Sequence, residues 1–337
     1  MTSSMQAAQI THYHQTTPTL QTIPIPTPRD HEVLVKIKAA SINPIDLKTM
    51  AGGLKLLLTY PMPLTIGSDF AGEVVAVGKR VTQFKVGDAV YGRPQKNHIG
   101  TFADYIAVAT ADIALMPRHL TYQEAAAIPL VGLTSYQALH DLMHLTPGQK
   151  VLIQGGAGGI GTIAIPLAKR MGAYVATTAS RKNFELVTCL GADRAIDYHT
   201  EDFAETLTDY DAVFDTRGGT TLEQAFRVVK PGGTVVSVSG LPTAKFAKDY
   251  GLPHWKRALF ALAAHKLTRL ARQTKTRYHF LFMTPSGRQL QVLTDLIEQD
   301  AWHPTIDRTF PLSQVDQALA HARGGHARGK IILNIGE

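Results

Sequence analysis

Apolar positions along the chain change texture once. Before about residue 120 they come in short runs that alternate with polar positions or are rich in β-branched side chains: HEVLVKIKAASIN (31–43), DFAGEVVAVG (69–78), VGDAVYG (86–92) and TFADYIAV (101–108). Gly, Pro and Asp separate them. This pattern predicts strands with one face in a core, assembled into an all-β, barrel-like unit. From Tyr122 the period lengthens, and EAAAIPLVGLTSYQALHDLM (124–143) reads as helix. Strands are then predicted at 150–156, 173–180, 194–198, 212–216 and 234–240, with helical stretches between them. Alternation of this kind builds a parallel sheet from βαβ units. Helices at 287–299 and around Val315 to Ala322 and a last strand at 330–335 complete the chain.

With 337 residues, 45% hydrophobic and 18% charged, the chain is long enough for two domains with full cores. No run approaches the ~18 apolar residues of a membrane span, and the first residues carry no basic segment followed by an apolar one. A cytoplasmic protein is expected. The net charge of +7 comes largely from one stretch, residues 245 to 277, with nine Lys or Arg against Asp249 alone. That stretch predicts one or two basic amphipathic helices with Trp255, Leu259, Leu262, Leu267 and Leu270 on one stripe. Packing on its own protein or on a dimer mate is the reading preferred over a membrane-surface role, and no nucleic-acid partner is expected. Cys189 is the sole cysteine, which excludes an intrachain disulfide and a thiolate cluster for structural zinc.

The strongest local signal is VLIQGGAGGIG (151–161), an apolar strand entering a glycine-rich turn and then a helix. Gly156, Gly158 and Gly161 give the G-x-G-x-x-G spacing, with Gly159 and Ile160 inside it. Such a turn lets backbone amides and a helix N-terminus approach a pyrophosphate, which implies a nicotinamide dinucleotide. An acidic residue that would hold the ribose 2′-hydroxyl of NADH belongs at the end of the next strand. The chain has Ser180, Arg181 and Lys182 there, so NADPH is the expected cofactor.

Together with NPIDLK (43–48), IGSDFAGEVVAVG (66–78), FKVGDAVYG (84–92), GTFADYIAV (100–108), GLTSYQAL (132–139) and GHARGK (325–330), this turn resembles the medium-chain dehydrogenase/reductase superfamily over nearly the whole chain. Within it the chain is most similar to the zinc-independent quinone oxidoreductases and enone or alkenal reductases. The resemblance implies an α/β fold: a Rossmann-type doubly wound parallel sheet plus a GroES-like β-barrel catalytic domain, with the active site where they meet. The catalytic domain would comprise 1–122 and the returning segment 278–337, and the NADP-binding domain 123–277 with its basic insert. A homodimer is implied as well.

Where zinc alcohol dehydrogenases carry a Cys ligand and a Gly-His-Glu, this chain has Asn43 and Gly67-Ser68-Asp69, and the four-cysteine loop is absent. No metal is therefore expected. The resemblance further places Thr134, Tyr198, Thr216, Ser239, Gly240, Phe280, Phe282, His326, Ala327 and Arg328 around the dinucleotide. Without a metal, the acceptor must be activated by its own conjugation, so a quinone or an α,β-unsaturated carbonyl compound is the expected substrate. Asn43 and Lys48 are candidates to stabilise the developing oxyanion, with Asp46 orienting one of them and Tyr60 at the substrate mouth. Reduction of simple ketones or aldehydes without zinc is the nearest rival, and a nucleotide-sensing or nucleic-acid-binding relative is the rival from another class.

Overall fold

The computed structural model describes residues 4–336, so the outermost residues of the expected catalytic domain, 1–3 and 337, lie outside the described residues. Two compact units result, one from the chain up to Leu133 and from Thr284 onward, the other from Thr134–Met283.

The first unit begins with β1 (Ser4–Ile10), β2 (Thr19–Pro24), β3 (Glu32–Ile42), α1 (Pro44–Met50), β4 (Leu64–Thr65), β5 (Phe70–Val77), β6 (Ala89–Gly92), β7 (Tyr105–Ala109) and β8 (Ile113–Leu115). The alternation in β3 buries Val33, Val35 and Ile37 completely, and this strand pairs antiparallel with both β5 and β7. α1 starts where Pro44 supplies a preset φ at a position that needs no N–H donor, and the Asp46 carboxylate accepts the Asn43 N–H. α2 (Tyr122–Ala126) opens on a reciprocal Thr121–Glu124 cap. The helix predicted as one piece over 124–143 is broken, because Pro129 cannot continue α2 and instead opens α3 (Pro129–Tyr136).

The second unit is a parallel sheet of β9 (Lys150–Ile153), β10 (Tyr174–Ala179), β11 (Arg194–Asp197), β12 (Tyr210–Asp215), β13 (Val229–Ser237) and β14 (Arg277–Phe280). Their spatial order is β11-β10-β9-β12-β13-β14. α4 (Gly161–Arg170), α5 (Phe184–Cys189), α6 (Phe203–Thr206) and α7 (Gly219–Val228) provide the crossovers. The central strand β9 is apolar after Lys150, as burial on both faces requires: Val151, Leu152 and Ile153 are wholly inaccessible. The basic insert folds as α8 (Ala244–Asp249), α9 (His254–Ala263) and α10 (His265–Gln273). Its predicted single apolar stripe divides: Leu267 and Leu270 join the core, whereas Trp255, Leu259 and Leu262 face outward.

The domain borders move from those expected at 122/123 and 277/278. Residues 123–133 stay with the barrel because α2 packs on β3 and β5 and Gln123 bonds Asn334. At the other end, β14 pairs in parallel with β13 through Thr234↔Arg277 to Ser237↔Phe280, so Arg277–Phe280 is a sixth sheet strand. The returning chain then forms α11 (Gly287–Asp300), β15 (Ile306–Pro311), α12 (Val315–Arg323) and β16 (Lys330–Asn334). β16 pairs antiparallel with β3, Ile331 opposite Ile42, and thereby sets Lys330 beside Asn43.

Candidate active site

In the second unit the order of strands reverses between β9 and β12, and the glycine-rich turn leaves the carboxyl end of β9 at that point. Open α/β sheets bind ligands at such a switch point. Hydrogen bonds fix the turn: Gly155 N–H donates to Thr178 Oγ1 at 2.9 Å and Gly156 N–H to the Thr178 carbonyl at 3.0 Å. Two of its glycines have no room for a side chain. A Cβ on Gly156 would stand 2.2 Å from Thr177 Oγ1, whose hydroxyl is held by the Ile153 carbonyl, and one on Gly161 would stand 2.5 Å from Gly155 O and Gly156 Cα. The backbone is thus drawn tight around the start of α4, where unpaired amides and the helix dipole favour a pyrophosphate.

Three of the other expected cofactor residues join this turn in a chain of bonds. Thr216 Oγ1 donates to the Gln154 carbonyl (2.8 Å), Ser239 Oγ to the Thr216 carbonyl (2.9 Å), and Gly240 N–H to Ser237 Oγ (2.7 Å). Asp215, which sequence reasoning missed, anchors the group. Its buried carboxylate accepts from the amides of Arg217 and Gly218 and from the Ser237 hydroxyl. Burial raises its pKa and these three donors pull it back. An acid ending the β12 strand three residues before a glycine pair was the available signal.

Ser180 caps the end of β10 and accepts from Asn183, while the side chains of Arg181 and Lys182 are exposed, the Arg181 guanidinium lying 4.9 Å from the Phe184 ring centroid. Tyr198 follows β11, exposed and against the His199 ring. Thr134 is buried at the start of the unit. Phe280 and Phe282 lie in an aromatic group with Phe246, edge-on to the Phe280 ring at 5.1 Å. His326, Ala327 and Arg328 belong to the first unit, in the loop before β16, where the Arg328 amide bonds Asp307.

The first unit contains a buried polar group built from side chains. Asp69 Oδ1 accepts the Ser41 hydroxyl (2.6 Å) and the Asn43 amide (2.9 Å), and its other oxygen accepts Leu130 N–H (3.2 Å). The Lys330 ammonium donates to Asn43 Oδ1 (2.5 Å) and the Ile42 carbonyl (3.1 Å). Asp46 takes the Asn43 N–H (2.8 Å) and the Ser68 hydroxyl (2.5 Å). All of these side chains are 3% exposed or less, so none faces bulk water. Burial pushes the Asp46 carboxyl up to about 7 and lowers Lys330, against the attraction of Asp69 and Asp46 for its charge. Arg93, also buried, lies within the field of Tyr60, Asp46, Asp69 and Asp112.

This geometry corrects the expected roles of Asn43 and Tyr60. Asn43 has its amide hydrogens engaged by the Ser41 carbonyl and Asp69, and so does not present them to a substrate. Asp46 orients the Asn43 backbone and Ser68, and makes no bond to Lys48. Tyr60 is buried with its hydroxyl donated to the Lys96 carbonyl at 2.6 Å. Lys48 is the one of the four whose side chain is exposed. Sequence reasoning missed the role of Lys330: it closes the GHARGK segment, but nothing local shows that strand pairing will carry it 287 residues back to Asn43. The donor set does not suit zinc: Asn43 and Ser68 are weak ligands and Asp69 is spent on internal donors. Among the described residues, no three His, Cys, Asp or Glu side chains form a group that could hold a metal ion.

Comparison with known proteins adds three kinds of match. The family described as alcohol dehydrogenase GroES-like domain matches residues 29–118, and the one described as zinc-binding dehydrogenase matches 190–333. The chain is 34% identical over 322 residues to the 2-methylene-furan-3-one reductase of Solanum lycopersicum, covering 93% of this chain and 74% of that protein. Against the chloroplastic NADPH-dependent alkenal/one oxidoreductase of Arabidopsis thaliana it is 32% identical over 321 residues, with 92% and 74% covered. The solved quinone oxidoreductase of Coxiella burnetii superposes with a TM-score of 0.84 at 33% identity, over 99% of this chain and 100% of that one.

Proposed function

The chain belongs to the quinone and enone reductase branch of the medium-chain dehydrogenase/reductase superfamily, and from that premise we propose that it passes hydride from NADPH to a quinone or an α,β-unsaturated carbonyl compound without a metal ion. The names of the three relatives attach reduction of quinones or conjugated carbonyls to those proteins. The metal-free part rests on one observation: Asp69 and Asn43 are engaged by each other, by Ser41 and by the Lys330 ammonium, where a metal would need ligands free to coordinate.

The bound dinucleotide supplies the hydride. The turn at Gly156–Gly161 holds the pyrophosphate, and Arg181 and Lys182, with no acid beside them at the end of β10, receive the 2′-phosphate of NADPH. Lys48, on α1, offers the charge that stabilises an oxyanion developing on the acceptor, or the proton that quenches it. Asn43 and Asp46 act through position: they fix the first turn of α1 and hence the base of Lys48. The homodimer of related enzymes belongs to the same proposal.

The test is NADPH oxidation with an enone and with its saturated ketone, for the wild type and for Lys48→Ala. Turnover of the enone, little of the ketone, and an approximately hundredfold lower kcat/KM in the variant are expected. Equal rates on both acceptors would make the chain a simple carbonyl reductase, and an unchanged Lys48→Ala would remove Lys48 from the chemistry.

A further inference from the structure

A surface helix ordinarily turns its apolar side toward its own protein. α9 does so only in part. Phe260 and the following Ala264 are buried, whereas Trp255, Leu259 and Leu262 are 61%, 41% and 77% exposed. Their i, i+4, i+7 spacing puts all three on one side of the helix, and Ala258 and Ala261 are exposed among them. α8 and α10 pack against α9 without covering that side, and α10 sends Leu267 and Ala271 to the core.

The surroundings are basic. Residues 245–277 hold nine Lys or Arg and one acid. Lys245 pairs with Asp249 and Lys266 with Glu223, and the Lys256 ammonium lies 5.5 Å from the Trp255 ring centroid. Lys248, Arg269, Arg272, Lys275 and Arg277 are exposed. Whatever covers the apolar side meets the Lys256 ammonium beside Trp255 and a segment that carries this charge. A second copy of the same helices would set nine cations against nine. A nucleic acid would meet the cations and leave Leu259 and Leu262 in water. A lipid surface with anionic headgroups satisfies both demands, since its headgroups meet Lys and Arg while Leu side chains enter the acyl boundary and Trp sits at headgroup depth.

We propose that α9 seats the protein on the surface of membranes that contain anionic lipids, with Trp255, Leu259 and Leu262 inserted and the Lys and Arg of α8–α10 against the headgroups. Among the described residues no helix is long and apolar enough to cross a membrane, so the attachment is peripheral and reversible. It rests on the insert alone and is independent of which acceptor the enzyme reduces.

The experiment is co-sedimentation of the full chain with vesicles of phosphatidylcholine alone and of phosphatidylcholine and phosphatidylglycerol in equal parts. Binding to the mixed vesicles only is expected. The pair Trp255→Ser with Leu262→Gln should lower it about tenfold, as should Arg269→Gln with Arg272→Gln, and molar salt should release the wild type. Both variants change exposed side chains, and their melting is compared with the wild type so that misfolding is not read as lost binding. No sedimentation with mixed vesicles, or sedimentation undiminished in the Trp255 and Leu262 variant, overturns the proposal. So does a fall in solution mass on Leu262→Gln, which would show a second copy on this side, or binding to RNA without binding to vesicles.

Discussion

The two units make their polar centres by opposite means. In the nucleotide unit the turn after β9 is made of backbone: amides, carbonyls and glycines whose added Cβ atoms would collide with neighbours at 2.2 and 2.5 Å. In the barrel unit the buried group is made of charged, amide and hydroxyl side chains drawn from β3, the start of α1, the residues just before β5, and β16. The first kind of site has almost no tolerance for added volume and, its Asp215 anchor aside, little dependence on pH. The second keeps its volume easily, since its members already have side chains, but depends on every charge having a partner. A close-packed interior punishes overlap, and a dry one punishes an unpaired ion.

The largest effect that would break this contrast is in the barrel. Lys330→Met leaves the carboxylate of Asp69 and the Asn43 carbonyl buried without their cation, and should cost about 3–5 kcal/mol in denaturant unfolding. Adding Asp69→Asn should recover part of that loss, and a full loss with no recovery would show that packing rather than charge holds the group.

Next is pH. The Asp46 carboxyl titrates at about 7 in the folded chain against 3.8 ordinarily, because burial disfavours its charge. Between those values the folded protein keeps a proton that the unfolded chain has released, so stability falls as pH rises through the window and levels off above it. Unfolding at several pH values should show a fall of a few kcal/mol in the wild type and a flatter profile in Asp46→Asn. Equal slopes would place the dependence elsewhere.

In the nucleotide unit the sensitive change is volume. Gly161→Ala forces the backbone at Gly155 and Gly156 to move, and should cost about 1–3 kcal/mol together with much of the NADPH affinity, at every pH alike. Fluorescence of bound NADPH reads the affinity. The smallest effect is at the end of β10: Arg181→Ala with Lys182→Ala should lower the preference for NADPH over NADH in kcat/KM about tenfold and leave stability alone. An unaltered ratio would mean that the 2′-phosphate is held by other residues.

The same contrast governs what could be read from the sequence. The turn at Gly156–Gly161 is contiguous and its flanking strand and helix announce themselves by period, so its place at the end of the first sheet strand was legible, whereas Thr216, Ser239 and Gly240 came only from the family resemblance. The barrel group was only half legible. NPIDLK marked its position, but Lys330 and Asp69 reach Asn43 through the pairing of β16, β3 and β5, which no local pattern encodes. Hence the Asn43 amide read as a free donor when it is spent on the Ser41 carbonyl and on Asp69. The insert shows the same limit: spacing put Leu262 and Leu267 on one stripe, but the break at Ala264 between α9 and α10 sends one outward and one in. β14 was missed because four residues, RYHF, are too short to show a period.

The central claim is that hydride goes to a carbon activated by conjugation, with no metal taking part. It is tested most directly by reducing an enone with NADPH deuterated at the transferred position, using protein dialysed against a chelator and shown free of zinc by elemental analysis. The account predicts undiminished turnover and deuterium on the β-carbon of the saturated product. Deuterium on the carbonyl carbon, or turnover that returns only when zinc is restored, would contradict it.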